Sequence, residues 1–191
     1  MSLFKFPQPR IFSTPPLAIV DTPAHATHFT KGRAGFQPLQ ILVHHTAGRI
    51  PQTLNWLRYA SPSRVSCHRL IGKDGTNYKV VQDEDTAHCA GFGDIGPIDA
   101  DGNDPPGVPI NLNVCTLNIE LENWGTGFDP YPMPQMIMCA KQIVEWWGKY
   151  GFLPVLAHGH VDANKDDPAG FSWALLHGLL RDELAKVLVT V

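Results

Sequence analysis

Charged residues are scarce in this sequence, and no long hydrophobic run is present. Asp, Glu, Lys and Arg make up 17% of the 191 residues and leave a net charge of −3, so there is no basic field to gather nucleic acid or anionic lipid. No stretch approaches the roughly 20 apolar residues that a membrane span requires. The opening segment MSLFKFPQPRIFSTPP lacks the apolar core of a signal peptide. We therefore expect a protein made in the cytoplasm, monomeric by default, with no nucleic-acid partner and no membrane span.

Cysteine is also rare, with four copies at Cys67, Cys89, Cys115 and Cys139. They are widely spaced and include no C-x-x-C pair. A disulfide framework is typical of small secreted domains rather than of a domain this long. We expect buried thiols that pack as small hydrophobic side chains.

Proline, by contrast, is abundant, and much of it lies near the start of the chain. Because proline fixes φ and donates no backbone hydrogen bond, residues 1–37 are predicted to form an extended arm that joins no central ladder. We expect His25 and His28, which lie in this arm, to be surface residues.

Strand-like and helix-like segments alternate after the arm. The predicted strands are LQILVHH, two segments joined through Asp74-Gly75, TLNIELEN and FLPVLAHGH, and the predicted helices are TLNWLRYA, the segment from Pro134 to Gly151 and the segment from Trp173 onward. A Gly/Pro/Asp-rich loop covers residues 90–113, and loops of that length are often functional. The alternation predicts an α/β fold in one domain of residues 38–191.

Histidines lie at the ends of two predicted strands. Of the neighbours His44 and His45, only one can face a given site, because successive strand residues point to opposite faces. His158 and His160, at i and i+2, would share a face, and Asp167 follows shortly after. Two imidazoles and a carboxylate with an open fourth position make a catalytic zinc site. The alternative is a set of unrelated histidines, each satisfied by its own partners.

Glu120 and Glu122 share one face of the predicted strand TLNIELEN. One of them could act as a general base beside a metal site. The alternative, which periodicity alone favours, is that both glutamates belong to the solvated face of a half-buried strand.

Four segments, in this order, resemble the zinc-dependent N-acetylmuramoyl-L-alanine amidase family (amidase type 2, peptidoglycan recognition protein-like). They are ILVHHTAG (41–48), VSCHRLIGKDGTNYKVVQDEDTAHCAG (65–91), TLNIELEN (116–123) and VLAHGHVDANKDDPAGFSW (155–173). The resemblance implies a single-domain α/β fold whose central, mainly mixed β-sheet is flanked by helices, and a catalytic domain over residues 38–191.

The resemblance also implies roles for individual residues. It implies that His44, His158 and Asp167 bind one Zn²⁺ per chain, that Glu120 is the catalytic base and that Lys165 steadies the oxyanion. His160 is a reserve ligand, because the gap to Asp167 looks a residue shorter than in many recycling enzymes of the family.

Substrate contacts are implied for two further histidines. His68 matches the substrate-side histidine of the family. The family's AWHAG turn reads Ala87-His88-Cys89-Ala90-Gly91 here, with the histidine displaced by one position, so His88 is assigned either to substrate or to a surface or supporting role. A further departure is Asn118, which stands where the family has the glycine of its GIE strand.

The resemblance implies an amidase that cuts the bond between N-acetylmuramic acid and L-alanine in peptidoglycan. We expect a phage-type endolysin that acts on the cell wall after holin-type release. The alternatives are a cytosolic amidase that recycles soluble muropeptides and a module that binds peptidoglycan without cutting it. The 90–113 loop would distinguish the endolysin from the recycling amidase, since an open groove admits the polymeric cell wall and a lidded pocket admits only fragments.

Overall fold

A mixed β-sheet of six strands forms the centre of the protein, whose computed structural model describes Thr14, residues 16–93 and residues 110–188. In these residues the strands, numbered in chain order, are β1 (Ile19–Asp21), β2 (Phe29–Thr30), β3 (Gln40–His45), β4 (Arg69–Ile71), β5 (Asn77–Lys79), β6 (Thr86–Ala87), β7 (Phe92–Gly93), β8 (Ile110–Asn111), β9 (Thr116–Leu121) and β10 (Val155–Ala157). The helices are α1 (Ile50–Arg58), α2 (Met133–Tyr150) and α3 (Trp173–Leu188). Most of the predicted 90–113 loop lies outside the described residues.

The order of strands in the sheet is β1-β5-β4-β9-β3-β10. Strands β4, β9, β3 and β10 run parallel to one another, whereas β5 is antiparallel to β4 and parallel to the edge strand β1. Strands β4 and β5 are the hairpin predicted around Asp74-Gly75, and Gly75 adopts the positive φ of 86° that such a turn requires. Two small ladders, β2 with β6 and β7 with β8, lie outside the central sheet. The predicted α/β fold with a mixed sheet and flanking helices is confirmed.

Both faces of the central strands are covered, as the apolar sequence of β3 predicts. Ile41 and Val43 face the core formed with α2 and α3, whereas Leu42 faces the opposite side. Strand alternation then places His44 on the same side as Leu42, away from the two long helices. No helix in the described part of the chain combines the length and hydropathy that crossing a membrane needs.

The Pro-rich arm is more closely integrated than expected. Strand β1, which lies within the arm, joins the central sheet as its edge strand and pairs in parallel with β5. The prediction that His28 is a surface residue is wrong: the side chain is fully buried, with Nδ1 3.0 Å from the Leu57 carbonyl and Nε2 accepting from the Ser61 N–H. Arg33 is also buried, and its Nε donates to the Asp83 carbonyl at 2.7 Å. The boundary at residue 37 stays a prediction.

Candidate functional site

Three parallel strands end side by side and carry the polar groups of the site. Strands β9 and β3 align His44 with Glu120, and β10 aligns Ala157 with Val43. The chain therefore leaves β10 at His158, next to His44. In α/β sheets the carboxyl ends of parallel strands are the usual place for a ligand site.

His44, His158 and Asp167 converge on one point. The Nδ1 atoms of the two imidazoles lie 3.1 Å apart, and Asp167 Oδ2 is 2.8 Å from His44 Nδ1 and 3.2 Å from His158 Nδ1. Both imidazoles are buried, and the carboxylate is half-buried. These three residues form a group that could hold a metal ion.

The other nitrogen of each imidazole meets an acceptor. His44 Nε2 lies 3.0 Å from Asn118 Oδ1, and His158 Nε2 lies 3.1 Å from the Ala90 carbonyl oxygen. A carbonyl only accepts hydrogen bonds, so both Nε2 atoms carry a proton and both Nδ1 atoms present a lone pair. Acceptors of this kind commonly orient metal-binding histidines.

Two lone pairs and a carboxylate at such short range repel one another unless a cation, or a proton shared between an imidazole Nδ1 and the carboxylate, lies among them. Burial opposes a charge on Asp167, but the hydrogen bonds with His158 and His44 outweigh it and lower its pKa. Burial likewise opposes protonation of His44, yet the hydrogen bond with Asp167 and the charge of Glu120 raise its pKa. The pocket therefore attracts a positive charge, and its donor set is one that catalytic zinc sites use.

Glu120 lies on the same face as His44 and beside it. Cys89 Sγ donates to Glu120 Oε1 at 3.5 Å, whereas Oε2 is buried with no hydrogen-bond partner in the described chain. Burial raises the pKa of Glu120, although the nearby His44 opposes the rise. A buried carboxylate with a raised pKa and one unpaired oxygen has the properties of a general base.

Glu122 has a structural role instead. Its carboxylate accepts from the backbone N–H of Ile50 at the start of α1 and from that of Lys73 in the hairpin. Lys165 lies two residues before Asp167 in an exposed turn, and its backbone N–H donates to the Asp162 carbonyl. The role predicted for the Lys165 ammonium stays a prediction.

The structure separates His45 and His160 from the cluster. His45 faces away from His44, as predicted, and its Nδ1 accepts from the Ala169 N–H. His158–His160 form a 3₁₀ turn rather than a strand end, so the two rings do not share a face. His160 Nδ1 accepts from the Ala157 N–H, and its ring packs 5.8 Å from that of Trp173. The reserve-ligand interpretation of His160 is therefore wrong.

The substrate role predicted for His68 is also corrected. The ring is fully buried, its Nδ1 accepts from the Asn118 N–H at 3.0 Å, and its Nε2 lies 2.7 Å from Arg33 Nη2. Burial and the Arg33 cation hold the pKa of His68 well below its ordinary value. A neutral interior ring of this kind supports β9 and cannot touch a substrate.

His88 is half-buried, and both of its ring nitrogens are engaged. Nε2 lies 3.0 Å from Thr30 Oγ1 and Nδ1 lies 3.2 Å from the Arg64 carbonyl. The ring thus links β6 to β2 and to the loop before β4. Of the two roles left open for His88, these contacts favour the supporting one.

Sequence reasoning missed two residues beside the site. Cys89 contacts Glu120, and burial raises the pKa of its thiol well above the ordinary value. Asn113 Oδ1 accepts from the backbone N–H groups of Cys89, Ala90 and Gly91 at 2.9, 2.8 and 3.2 Å. Cys89 had been expected only to fill space, and Asn113 carries no sequence signal, because both act through contacts between distant segments.

Comparison with known proteins agrees with this geometry. The family model described as N-acetylmuramoyl-L-alanine amidase matches residues 34–170, which include every residue of the site. No curated protein sequence matches the chain.

Several solved structures share the fold. The selenomethionine derivative of AmpD is 21% identical, with a TM-score of 0.61 over 84% of this chain and 93% of that chain. The endolysin LysCS from Clostridium intestinale URNW, an N-acetylmuramoyl-L-alanine amidase, is 18% identical, with a TM-score of 0.59 over 86% and 95%. AmiD from E. coli, in complex with anhydro-N-acetylmuramic acid-L-Ala-D-gamma-Glu-L-Lys, is 21% identical, with a TM-score of 0.61 over 78% and 58%. At these identities the likeness shows the fold alone.

Proposed function

Because the chain belongs to the N-acetylmuramoyl-L-alanine amidase family, we propose that it is a zinc-dependent member that cleaves the bond between N-acetylmuramic acid and L-alanine in peptidoglycan. His44, His158 and Asp167 would hold one zinc ion per chain. Glu120 is the proposed base, and Lys165 is the proposed partner of the oxyanion.

The observation that carries the proposal is the convergence of three donor atoms at 2.8–3.2 Å, with both histidine protons directed elsewhere. His44 comes from β3, whereas His158 and Asp167 lie together in the segment after β10, more than 100 residues later. An arrangement of unrelated histidines would not turn two lone pairs toward one carboxylate. The donor set therefore favours a metal centre over the alternative of separately satisfied histidines.

The surrounding residues can perform amide hydrolysis. A zinc ion held at this place supplies Lewis-acid chemistry, which polarises a carbonyl and acidifies water. Glu120 Oε2 takes a proton from the attacking water and returns it to the nitrogen of the departing L-alanine. The Lys165 ammonium, near Asp167 in sequence, adds positive charge where the oxyanion develops.

Metal analysis and product analysis test this proposal together. We expect one zinc per chain and, from muropeptides, free stem peptides that begin with L-alanine by mass spectrometry, lost with a chelator and restored by zinc. Glu120→Gln should keep zinc and lose at least about 100-fold in turnover, because it removes the base and not a ligand. The matched control Glu122→Gln, just past the end of β9, should stay active, because the Glu122 carboxylate accepts from the backbone of Ile50 and Lys73 instead.

A second matched pair tests the ligand set. His158→Ala should lose bound zinc, whereas His160→Ala should keep it, because only His158 points into the cluster. Zinc retained in His158→Ala, or full turnover in Glu120→Gln, would contradict the assignment.

We further propose a lytic role on the cell wall, in the manner of a phage endolysin released by a holin. The likeness to an endolysin supports this role, and a recycling amidase is the alternative. Purified sacculi and soluble muropeptides, offered in parallel, separate the two. Release of stem peptides from sacculi supports the lytic enzyme, cleavage of soluble muropeptides alone supports the recycling enzyme, and cleavage of neither supports a binding module.

A further inference from the structure

We propose that Cys89 is a positioning residue that holds the Glu120 carboxylate through its thiol, and that Asn113 holds Cys89 in place. This inference rests on the proposed function, since it assigns Glu120 the role of base.

The contact leaves the two oxygens of Glu120 in different states. Cys89 Sγ lies 3.5 Å from Oε1, and a protonated thiol is a weak hydrogen-bond donor to a carboxylate oxygen. Oε2 is buried and without a partner in the described residues. Occupation of Oε1 by the thiol restricts rotation of the carboxylate, so Oε2 is the oxygen left to receive a proton. Cys89, Glu120 and His44 also bring their ligating atoms within 4.8 Å of one another, which places the thiol at the site itself.

A single side-chain amide fixes the segment that carries Cys89. The backbone N–H groups of residues 89–91 all donate to Asn113 Oδ1. The Ala90 carbonyl in the same segment faces His158 Nε2 at 3.1 Å. Asn113 therefore supports both the thiol beside the base and the acceptor behind a proposed metal ligand.

The opposing interpretation is that Cys89 only fills space, because a free cysteine often packs as a small hydrophobic side chain. Cys139 is a matched case, since it is a fully buried free thiol on the core side of α2 and makes no hydrogen bond with His44, Glu120, His158 or Asp167 in the described chain. Replacing each cysteine with alanine deletes the same atom. Only the loss at Cys89 removes a donor to Glu120.

Steady-state kinetics on a soluble muropeptide with the zinc-loaded protein separates these interpretations. We expect Cys89→Ala to lower kcat about tenfold, with KM and zinc content unchanged. This loss is a part of the roughly 10²- to 10⁴-fold rate acceleration that a positioned base contributes. Cys89→Ser, which keeps a donor, should recover most of that loss, and Cys139→Ala should retain the original kcat. Asn113→Ala should lower kcat as Cys89→Ala does, whereas Asn113→Asp keeps an acceptor for the three N–H groups and should restore it.

Infrared spectroscopy of the metal-free protein tests the contact without any turnover. The S–H stretching band assigned to Cys89 by its loss in Cys89→Ala should lie at lower frequency than the Cys139 band, and it should rise in Glu120→Ala. An unchanged kcat in Cys89→Ala, equal losses in Cys89→Ala and Cys89→Ser, or a band that Glu120→Ala leaves in place would overturn the inference. A protein with the expected band shift that cleaves neither soluble muropeptides nor sacculi would instead refute the proposed function.

Discussion

Replacing Asn118 with alanine should weaken metal binding without removing a ligand. Asn118 is fully buried, and its Oδ1 accepts from His44 Nε2 at 3.0 Å. The orientation of the amide is set because Nδ2 donates to Thr116 Oγ1, whose own proton goes to the Leu112 carbonyl. Alanine would leave the His44 N–H without an acceptor and allow the ring to turn.

The size of the effect follows from linkage between binding and folding. At free zinc of 100 times Kd, binding stabilises the native state by about 2.7 kcal/mol. Loss of an acceptor behind a metal-binding histidine lowers affinity roughly 10- to 100-fold, which reduces this stabilisation to about 1.4–0.4 kcal/mol. Since 1 kcal/mol corresponds to about 2–4 °C in a domain of this size, the zinc-induced rise in Tm should fall from roughly 5–11 °C to roughly 1–6 °C.

Two measurements check this prediction: a zinc titration against a competing chelator, and thermal unfolding at matched free zinc with and without metal. Gln135→Ala is the matched control, because Gln135 is an equally buried amide that donates to the Ile71 and Glu122 carbonyls, outside the cluster. The control should lower Tm but keep the full zinc-induced rise. An Asn118→Ala protein with unaltered zinc affinity would refute the orienting role of the amide.

Two further predictions concern stability. Arg33→Met should lower the free energy of unfolding by roughly 3 kcal/mol in urea, because buried Arg33 donates to the Asp83 and Thr116 carbonyls; a loss below about 1 kcal/mol would contradict this. The metal-free protein should lose stability as pH rises above about 6.5. Burial lowers the pKa of His44, but Asp167 and Glu120 raise it by more than burial lowers it. The proton that stabilises the folded state is therefore bound below about pH 6.5 and is lost as pH passes the raised pKa of His44. The depressed pKa of Asp167 predicts a separate loss as pH falls below about 4. Urea unfolding across this range should show that bound zinc abolishes the loss of stability at high pH. A metal-free protein that is equally stable at pH 6 and pH 9 would argue against a proton shared between His44 and Asp167.

The division of strand faces was predictable because it depends on local geometry. The apolar run of β3 indicated a strand covered on both sides, and alternation separated His44 from His45 before any tertiary contact was known. The same rule placed Glu120 on one face of β9, opposite Ile119 and Leu121. Such predictions hold because side-chain direction in a strand follows from the backbone of that strand alone.

The same reasoning failed where the backbone left the strand. His158 and His160 were expected to share a face, but Gly159 lies in a turn whose N–H donates to the Asp167 carbonyl. A Cβ on Gly159 would come within 2.6 Å of the Lys165 carbonyl oxygen, so the turn depends on close approach of a later segment. The prediction that His28 is exposed was wrong for a related reason, because the groups that bury its ring come from α1 and from the segment after α1.

The sequence by itself determined the kinds of elements, the faces of the strands and, through four ordered segments, the family. Only the tertiary structure decided which polar groups meet. The parallel alignment of β9, β3 and β10 joins His44 to Asp167 across 123 positions, and the contact of Cys89 with Glu120 spans 31. The pattern within one segment indicates which face of a strand a side chain occupies. Whether a buried donor meets an acceptor depends instead on how distant segments pack together, because the partner of a buried polar group comes from whichever segment the fold places beside it.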